Sequence, residues 1–158
     1  MQFIIDTTLL ILIQYVKLMN VVEYQKHNKA LEASPEYQHI LSEVMWEVNT
    51  QFVKEIIAQE ERWLSYKVEE EPIEDDDPIM VEFFKTLRAD NKAQDEIRKK
   101  RIEEAKELLP TDPTRAAQLL SKLGSCHTLW SLQKTILKEK YGITWYTPAE
   151  LHPDIRYD

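Results

Sequence analysis

The chain is short of glycine and cysteine. It has only two glycines, Gly124 and Gly142, and one cysteine, Cys126, in 158 residues. Sheets and their tight turns use glycine, which averages roughly 7% of globular chains, so its scarcity favours helices joined at proline corners. One cysteine excludes an internal disulfide and a multi-cysteine zinc site. It also favours a reducing compartment, so we expect a cytoplasmic protein.

Several enzyme motifs are missing as well. Neither glycine has a glycine neighbour, which excludes a glycine-rich phosphate loop. The chain contains no nucleophile elbow and no zinc-protease histidine pattern, and we predict no cofactor. Because 43% of the residues are hydrophobic and the length suits one domain, we expect a single helical domain over residues 1–158.

Apolar periodicity predicts three long helices, over about 7–33, 35–67 and 78–109. Serine–proline at 34–35 and aspartate–proline at 77–78 are typical helix starts, because the first residue can cap and the proline suits the first turn. Over 78–109 a polar middle leaves two alternatives, one long helix or two shorter helices. We favour one.

The C-terminal part of the chain predicts a helical hairpin over 113–141 and a short capped helix over 148–152. Gly142 falls where the left-handed residue that ends a helix is usually glycine. Thr147 and Glu150 have the spacing of a capping box. The predicted fold is therefore all-α, a bundle of two to three long helices with a C-terminal hairpin and a short capped final helix.

Residues 3–19 are strongly apolar and leave two alternatives. A membrane or targeting segment is one, but Asp6, Gln14 and Lys17 interrupt the apolar residues and no basic residue precedes them. A buried or dimer-facing helix is the other, and we favour it. Met19 is an alternative start, in which case the residues before it would not belong to the product.

Charge is unevenly distributed along the chain. Residues 1–84 carry a net charge of -11 and residues 85–141 carry +5. The acidic loop over 69–77 contains Glu69, Glu70, Glu71, Glu74, Asp75, Asp76 and Asp77. The basic cluster consists of Arg98, Lys99, Lys100 and Arg101. Their separation exceeds the screening length along one helix and leaves two alternatives: both segments are simply solvated, which we slightly favour, or they meet between two antiparallel copies in a homodimer held by hydrophobic stripes.

Cys126 is the first candidate for chemistry. It begins a predicted helix, where unpaired amides and the helix dipole can lower the pKa of a thiol. His127 follows directly, but neighbouring helical residues point about 100° apart, which disfavours a catalytic Cys–His pair. A small buried residue on an apolar stripe is the alternative, and we favour it.

Two further candidates rest on partial patterns. Glu36 and His39 have the Glu-x-x-His spacing of di-iron bundles, with Glu43 on a nearby turn, but no second pair exists to complete a metal site. The basic cluster at 98–101 could hold phosphates. However, acidic neighbours flank it, and no aromatic residue for base stacking lies between Phe84 and Trp130.

The sequence therefore favours a non-catalytic, self-associating helical interaction or scaffold module. The alternatives are a thiol-dependent enzyme or redox sensor using Cys126, and a nucleic-acid-associated helical protein using residues 98–101. Membrane association through residues 3–19 remains a weaker alternative.

Overall fold

The protein is predominantly helical in the part that the computed structural model describes. That part comprises residues 2–66, 73 and 77–157, with residues 2–8 described by their backbone only. Within it the chain forms six helices and no strand, so the predicted all-α class is confirmed. The helices are α1 (Gln2–Glu32), α2 (Pro35–Ser65), α3 (Pro78–Leu108), α4 (Pro113–Leu120), α5 (Ser125–Tyr141) and α6 (Pro148–Leu151).

Four of the helices begin with proline, directly after a residue whose side chain caps the first turn. The capping oxygens accept backbone amides: Ser34 from Tyr37 at 3.2 Å, Asp77 from Ile79 at 2.8 Å, Asp112 from Arg115 at 2.9 Å and Thr147 from Glu150 at 3.3 Å. The Glu150 carboxylate also accepts the Thr147 amide, which completes the predicted capping box. These local signals place the helix starts.

Some helix ends differ from the predicted bounds. The first helix begins at Gln2 rather than near residue 7, and the hairpin predicted over 113–141 consists of α4, which ends at Leu120, and α5, which begins at Ser125. The extended backbone of Ser121 (ψ 137°) ends α4, and a four-residue turn leads to α5. The helix α3 runs unbroken through its polar middle, as we favoured.

Contacts within the chain group into two compact units. The first contains residues 1–48 and 122–158, and the second contains residues 49–121. Nothing in the sequence marks this division, because one boundary lies inside the uninterrupted helix α2.

The first unit has an apolar core built from α2, α5 and the link between α5 and α6. Its buried members are Tyr37, Val44, Val48, Ile136, Leu137 and Trp145. Trp145 lies in the link between α5 and α6 and is only 6% exposed. The buried Gln133 side chain donates to the Tyr37 hydroxyl at 3.3 Å, so the core also contains a satisfied polar pair.

The second unit contains the remainder of α2 together with α3 and α4, which pack on each other. Its buried apolar residues are Phe52, Val53, Ile57, Ile102, Ala105, Pro113, Ala116, Ala117 and Leu120. Asn49 donates to the Thr114 hydroxyl at 3.1 Å, which satisfies a polar side chain that is only 6% exposed. Small alanines on α3 and α4 allow the two helices to approach closely.

Replacing Gly142 by alanine should lower the free energy of unfolding by about 1 kcal/mol, because an L side chain resists the left-handed backbone. Gly142 has φ 67°, and nothing lies within 4 Å of an added Cβ, so the cost is conformational rather than steric. Gly142→Asn is the matched control, since asparagine tolerates this conformation better. Urea denaturation followed by circular dichroism measures both, and equal stability of all three proteins would contradict the prediction.

Candidate functional site

The largest exposed apolar surface of the first unit lies on α1. Ten large apolar residues between positions 9 and 22 each expose 39–63% of their surface. They are Leu9, Leu10, Ile11, Leu12, Ile13, Tyr15, Val16, Leu18, Met19 and Val22. Four of them, which we call the α1 face, follow one another in steps of four, three and four: Ile11, Tyr15, Leu18 and Val22. That spacing is the seam of a helix that pairs with another helix.

The C-terminal end of α1 is held by polar side chains that bond the backbone of residues 144–151. Asn28, 3% exposed, donates to the Tyr146 carbonyl at 2.7 Å and accepts its amide at 3.1 Å. Gln25 donates to the Leu151 carbonyl at 2.9 Å, and His27 lies 2.8 Å from the Thr144 carbonyl oxygen. These contacts fix the position of α1 within the first unit.

Aromatic packing strengthens the same attachment. The Tyr24 and Tyr146 rings stack with their centroids 3.9 Å apart, and His27 meets Tyr146 edge-on at 5.5 Å. This role of residues 24–28 was not predicted from the sequence. The available signal was Asn28, an amide side chain placed inside a long helix, where it is intrinsically unfavourable unless it has a partner.

A cleft of about 370 Å³ opens between α1 and the residues that follow α6. Its apolar lining comes from Leu18, Val21, Val22 and Leu151, and Lys17 and Asp154 are among its polar residues. The α1 face therefore runs into the cleft, because Leu18 and Val22 belong to both. Any helix that covered the α1 face would also lie beside the cleft.

Cys126 and His127 lie beside Tyr157, near the C-terminal end of the described residues. The half-buried Cys126 thiol lies 3.5 Å from the Tyr157 carbonyl oxygen, and His127 Nε2 lies 3.1 Å from the same atom. The Trp130 and Tyr157 rings meet edge-on at 5.0 Å beside them. Both candidate side chains thus bond one backbone carbonyl. The thiol-enzyme alternative stays a prediction that this packing does not favour.

The three metal-site candidates, Glu36, His39 and Glu43, lie on exposed turns of α2. Lys140 approaches Glu43 Oε1 at 3.4 Å and Glu47 Oε2 at 2.7 Å, so a cation already neighbours these carboxylates. The hydrogen bond to Glu47 raises the pKa of Lys140 above its ordinary value, which keeps the ammonium charged. Among the described residues, no group of three or more histidine, cysteine or acidic side chains could hold a metal ion.

The basic cluster is partly engaged within the second unit. Arg98 Nε lies 2.8 Å from Glu60, and the Arg98 guanidinium lies 5.9 Å from the Trp63 ring. Lys99 bonds Glu96 at 2.7 Å, and this hydrogen bond raises the pKa of Lys99. Lys100 and Arg101 are exposed. These contacts leave the second half of the cluster facing solvent.

The acidic loop lies mostly outside the described residues. Its predicted contact residues Glu69, Glu70, Glu71, Asp75 and Asp76 fall there. Asp77 is described, and its carboxylate caps α3. A second set of exposed apolar residues flanks this loop in the sequence: Trp63, Tyr66, Ile79, Met80, Phe83, Phe84 and Leu87. The last five of these lie on α3, where an apolar pattern of this kind is typical of a helix that packs against another element.

In the portion of the chain with described coordinates, no helix combines the length and the apolar character needed to cross a bilayer. A scan against protein-family models and searches of curated proteins and of solved structures found no match to this chain.

Proposed function

We propose that this protein is a non-catalytic helical interaction module that self-associates through the α1 face. The observation that carries the proposal is the exposure of ten large apolar side chains along residues 9–22. Apolar patches of such extent on a protein surface mark sites of association far more often than isolated exposed residues do.

The size of this surface supports a stable contact. The ten exposed side chains together offer an area on the order of the roughly 800 Å² that each partner contributes to a standard interface, and the four residues of the α1 face are the part of it that one partner helix covers. A second copy of the chain presents the same face, and a two-fold axis makes such a face self-complementary. Association would then remove from water a surface that the first unit leaves uncovered.

Charge contributes direction rather than strength in this proposal. The exposed Lys100 and Arg101 are the part of the basic cluster that is available to the acidic loop of another copy, while Arg98 and Lys99 keep their pairs within the chain. Exposed ion pairs contribute roughly 0–1 kcal/mol each and are screened by salt, so the α1 face must hold the dimer. We therefore expect the dimer to weaken moderately as salt rises.

Introducing charge into the α1 face should dissociate the dimer. We expect the parent to sediment as a dimer at tens of micromolar. The double variant Ile11→Glu/Tyr15→Glu should weaken the dissociation constant by at least about 100-fold, because two carboxylates would be buried without partners. Analytical ultracentrifugation across a concentration series measures this constant.

A matched control carries the same two charges elsewhere on the first unit. Leu123 is 86% exposed and Trp46 is 50% exposed, and neither lies on α1 or lines the cleft described above. The double variant Leu123→Glu/Trp46→Glu should therefore remain a dimer. A parent that sediments as a monomer at these concentrations would overturn the proposal. A control that dissociates as fully as the test variant would also count against the α1 face.

A further inference from the structure

Residues 9–13 of α1 expose apolar side chains on more than one side of the helix. Residues 9–13 are consecutive and apolar, and each exposes between 43% and 63% of its surface. Because successive helical residues point about 100° apart, five in a row face every direction around the helix. A single partner helix covers only one stripe of such a surface.

The cleft beside the α1 face is a second surface against which residues 9–13 of another copy could pack. Its volume of about 370 Å³ exceeds twice that of an engineered apolar cavity of about 150 Å³ that accepts benzene, so it can receive large side chains. It is lined by α1 between residues 14 and 25 and by residues 151–154. A helix that lies along the α1 face there would touch two surfaces at once.

We infer that the two copies pair antiparallel, with residues 9–13 of each α1 seated against the cleft of the other. This inference rests on the proposed self-association and specifies its geometry. Placing Ile11 of one copy beside Val22 of the second also places Tyr15 beside Leu18. Residues 9–13 then lie opposite residues 20–24 of the other copy, at the level of its cleft.

A parallel pair does not satisfy the same surfaces. In a parallel pair residues 9–13 would lie beside their own equivalents, and about 16 Å of helix would separate Ile11 from Val22, one of the residues that line the cleft. Residues 9–16 carry no charged side chain. The antiparallel pair places this uncharged segment of one copy beside Leu18 and Val22, which belong to the apolar lining of the other copy's cleft.

The chemistry of this segment favours a protein occupant over a lipid surface. A helix that lies on a membrane has one apolar face and a polar face rich in lysine or arginine. Residues 9–13 have no polar face, and Lys17 is the single basic residue between positions 9 and 22. A second copy supplies apolar contact on two sides without requiring positive charge.

Disulfide trapping tests the antiparallel arrangement. In a Cys126→Ser background, the double variant Ile11→Cys/Val22→Cys should form a covalent dimer under mild oxidation. Within one chain the two positions lie about 16 Å apart along the helix, beyond the reach of under 7 Å between the Cα atoms of a disulfide, so an internal bond cannot compete. The single variants Ile11→Cys and Val22→Cys should form little covalent dimer.

Spin labels provide a second measurement if oxidation perturbs the fold. A label on Ile11→Cys should give a distance between copies of roughly 20 Å in the antiparallel pair, against roughly 10 Å in a parallel pair. Circular dichroism of each labelled protein checks that the helices remain. A distance near the shorter value, or efficient trapping of Ile11→Cys alone, would overturn the inference while leaving self-association intact.

The cleft itself is tested by filling it. Pro153 lines the cleft and is exposed, so Pro153→Trp should occupy the cleft with an indole and weaken the dimer by about 10-fold. Pro110→Trp is the control, because Pro110 is exposed in the second unit. An unchanged dissociation constant for Pro153→Trp would overturn the seating of α1 in the cleft.

Two further outcomes would overturn this inference together with the self-association on which it rests. A parent that is monomeric at tens of micromolar would remove both. A monomer that floats with vesicles of phosphatidylcholine and phosphatidylserine, and loses this binding in Ile11→Glu/Tyr15→Glu, would identify lipid as the occupant of the α1 face. Either result would overturn the antiparallel pair.

Discussion

Replacing Leu137 by alanine should lower the free energy of unfolding by about 3–5 kcal/mol. Leu137 is fully buried among Val44, Val48 and Trp145 in the core of the first unit. The substitution removes three carbon atoms and leaves a cavity. The neighbouring side chains can fill this cavity only in part, because α2, α5 and the link after α5 hold them in place. The loss therefore includes both the transfer free energy and the contacts across the cavity.

Leu123→Ala is the matched control for this prediction. It makes the same chemical change at a side chain that is 86% exposed, and we expect a change within about 0.5 kcal/mol. Chemical denaturation followed by circular dichroism and by tryptophan fluorescence measures both variants. A loss below about 1 kcal/mol for Leu137→Ala would mean that the core of the first unit is packed more loosely than the structure indicates.

Helix starts were predictable because their signals are local. Proline at the first position and a capping side chain before it act over three or four residues, and they place α2, α3, α4 and α6 correctly. Gly142 was equally readable: its left-handed backbone lets its own amide and that of Ile143 return to the last carbonyls of α5. Such features require no knowledge of what lies elsewhere in the chain.

Exposure was harder to predict because it depends on distant parts of the chain. Residues 79–87 have the apolar pattern that is typical of a helix with one buried face, yet Ile79 is 78% exposed and Phe83 is 57% exposed. The division into two units is likewise invisible, because α2 carries no glycine or proline where one unit gives way to the other. Periodicity identifies a face that can be buried, whereas tertiary contacts decide whether it is.

The attachment of α1 was also beyond local reasoning. Asn28 and Tyr146 are 118 residues apart in sequence, and no pattern in either segment identifies the other. Asn28 meets both backbone groups of Tyr146 because its side chain carries a donor and an acceptor. The same contact sets the position of α1 against residues 151–154, which together form the cleft. The geometry of the candidate site thus depends on this buried amide together with the contacts of Gln25 and His27.

Replacing Asn28 by alanine should consequently lower the free energy of unfolding by about 2–4 kcal/mol, because it leaves the amide and carbonyl of Tyr146 without their partner in a largely buried position. Lys29→Ala, at an exposed neighbouring position, should change the stability by less than about 0.5 kcal/mol. Thermal and urea denaturation would measure both. Equal stability of the two variants would contradict the assigned role of Asn28.

Asn28→Asp separates the two hydrogen bonds through their dependence on pH. The new carboxylate keeps the acceptor for the Tyr146 amide but faces the Tyr146 carbonyl with negative charge. Burial and that carbonyl should raise its folded-state pKa above the unfolded value of about 3.9. A raised folded pKa contributes stability that is present below the unfolded pKa and is lost as pH rises through the folded pKa.

The deficit in the free energy of unfolding of Asn28→Asp relative to the parent should therefore be smallest at acid pH, where the protonated group can donate to the carbonyl. If the deficit of Asn28→Asp is the same at pH 4 and pH 8, the donor half of this contact does not hold α1 in place.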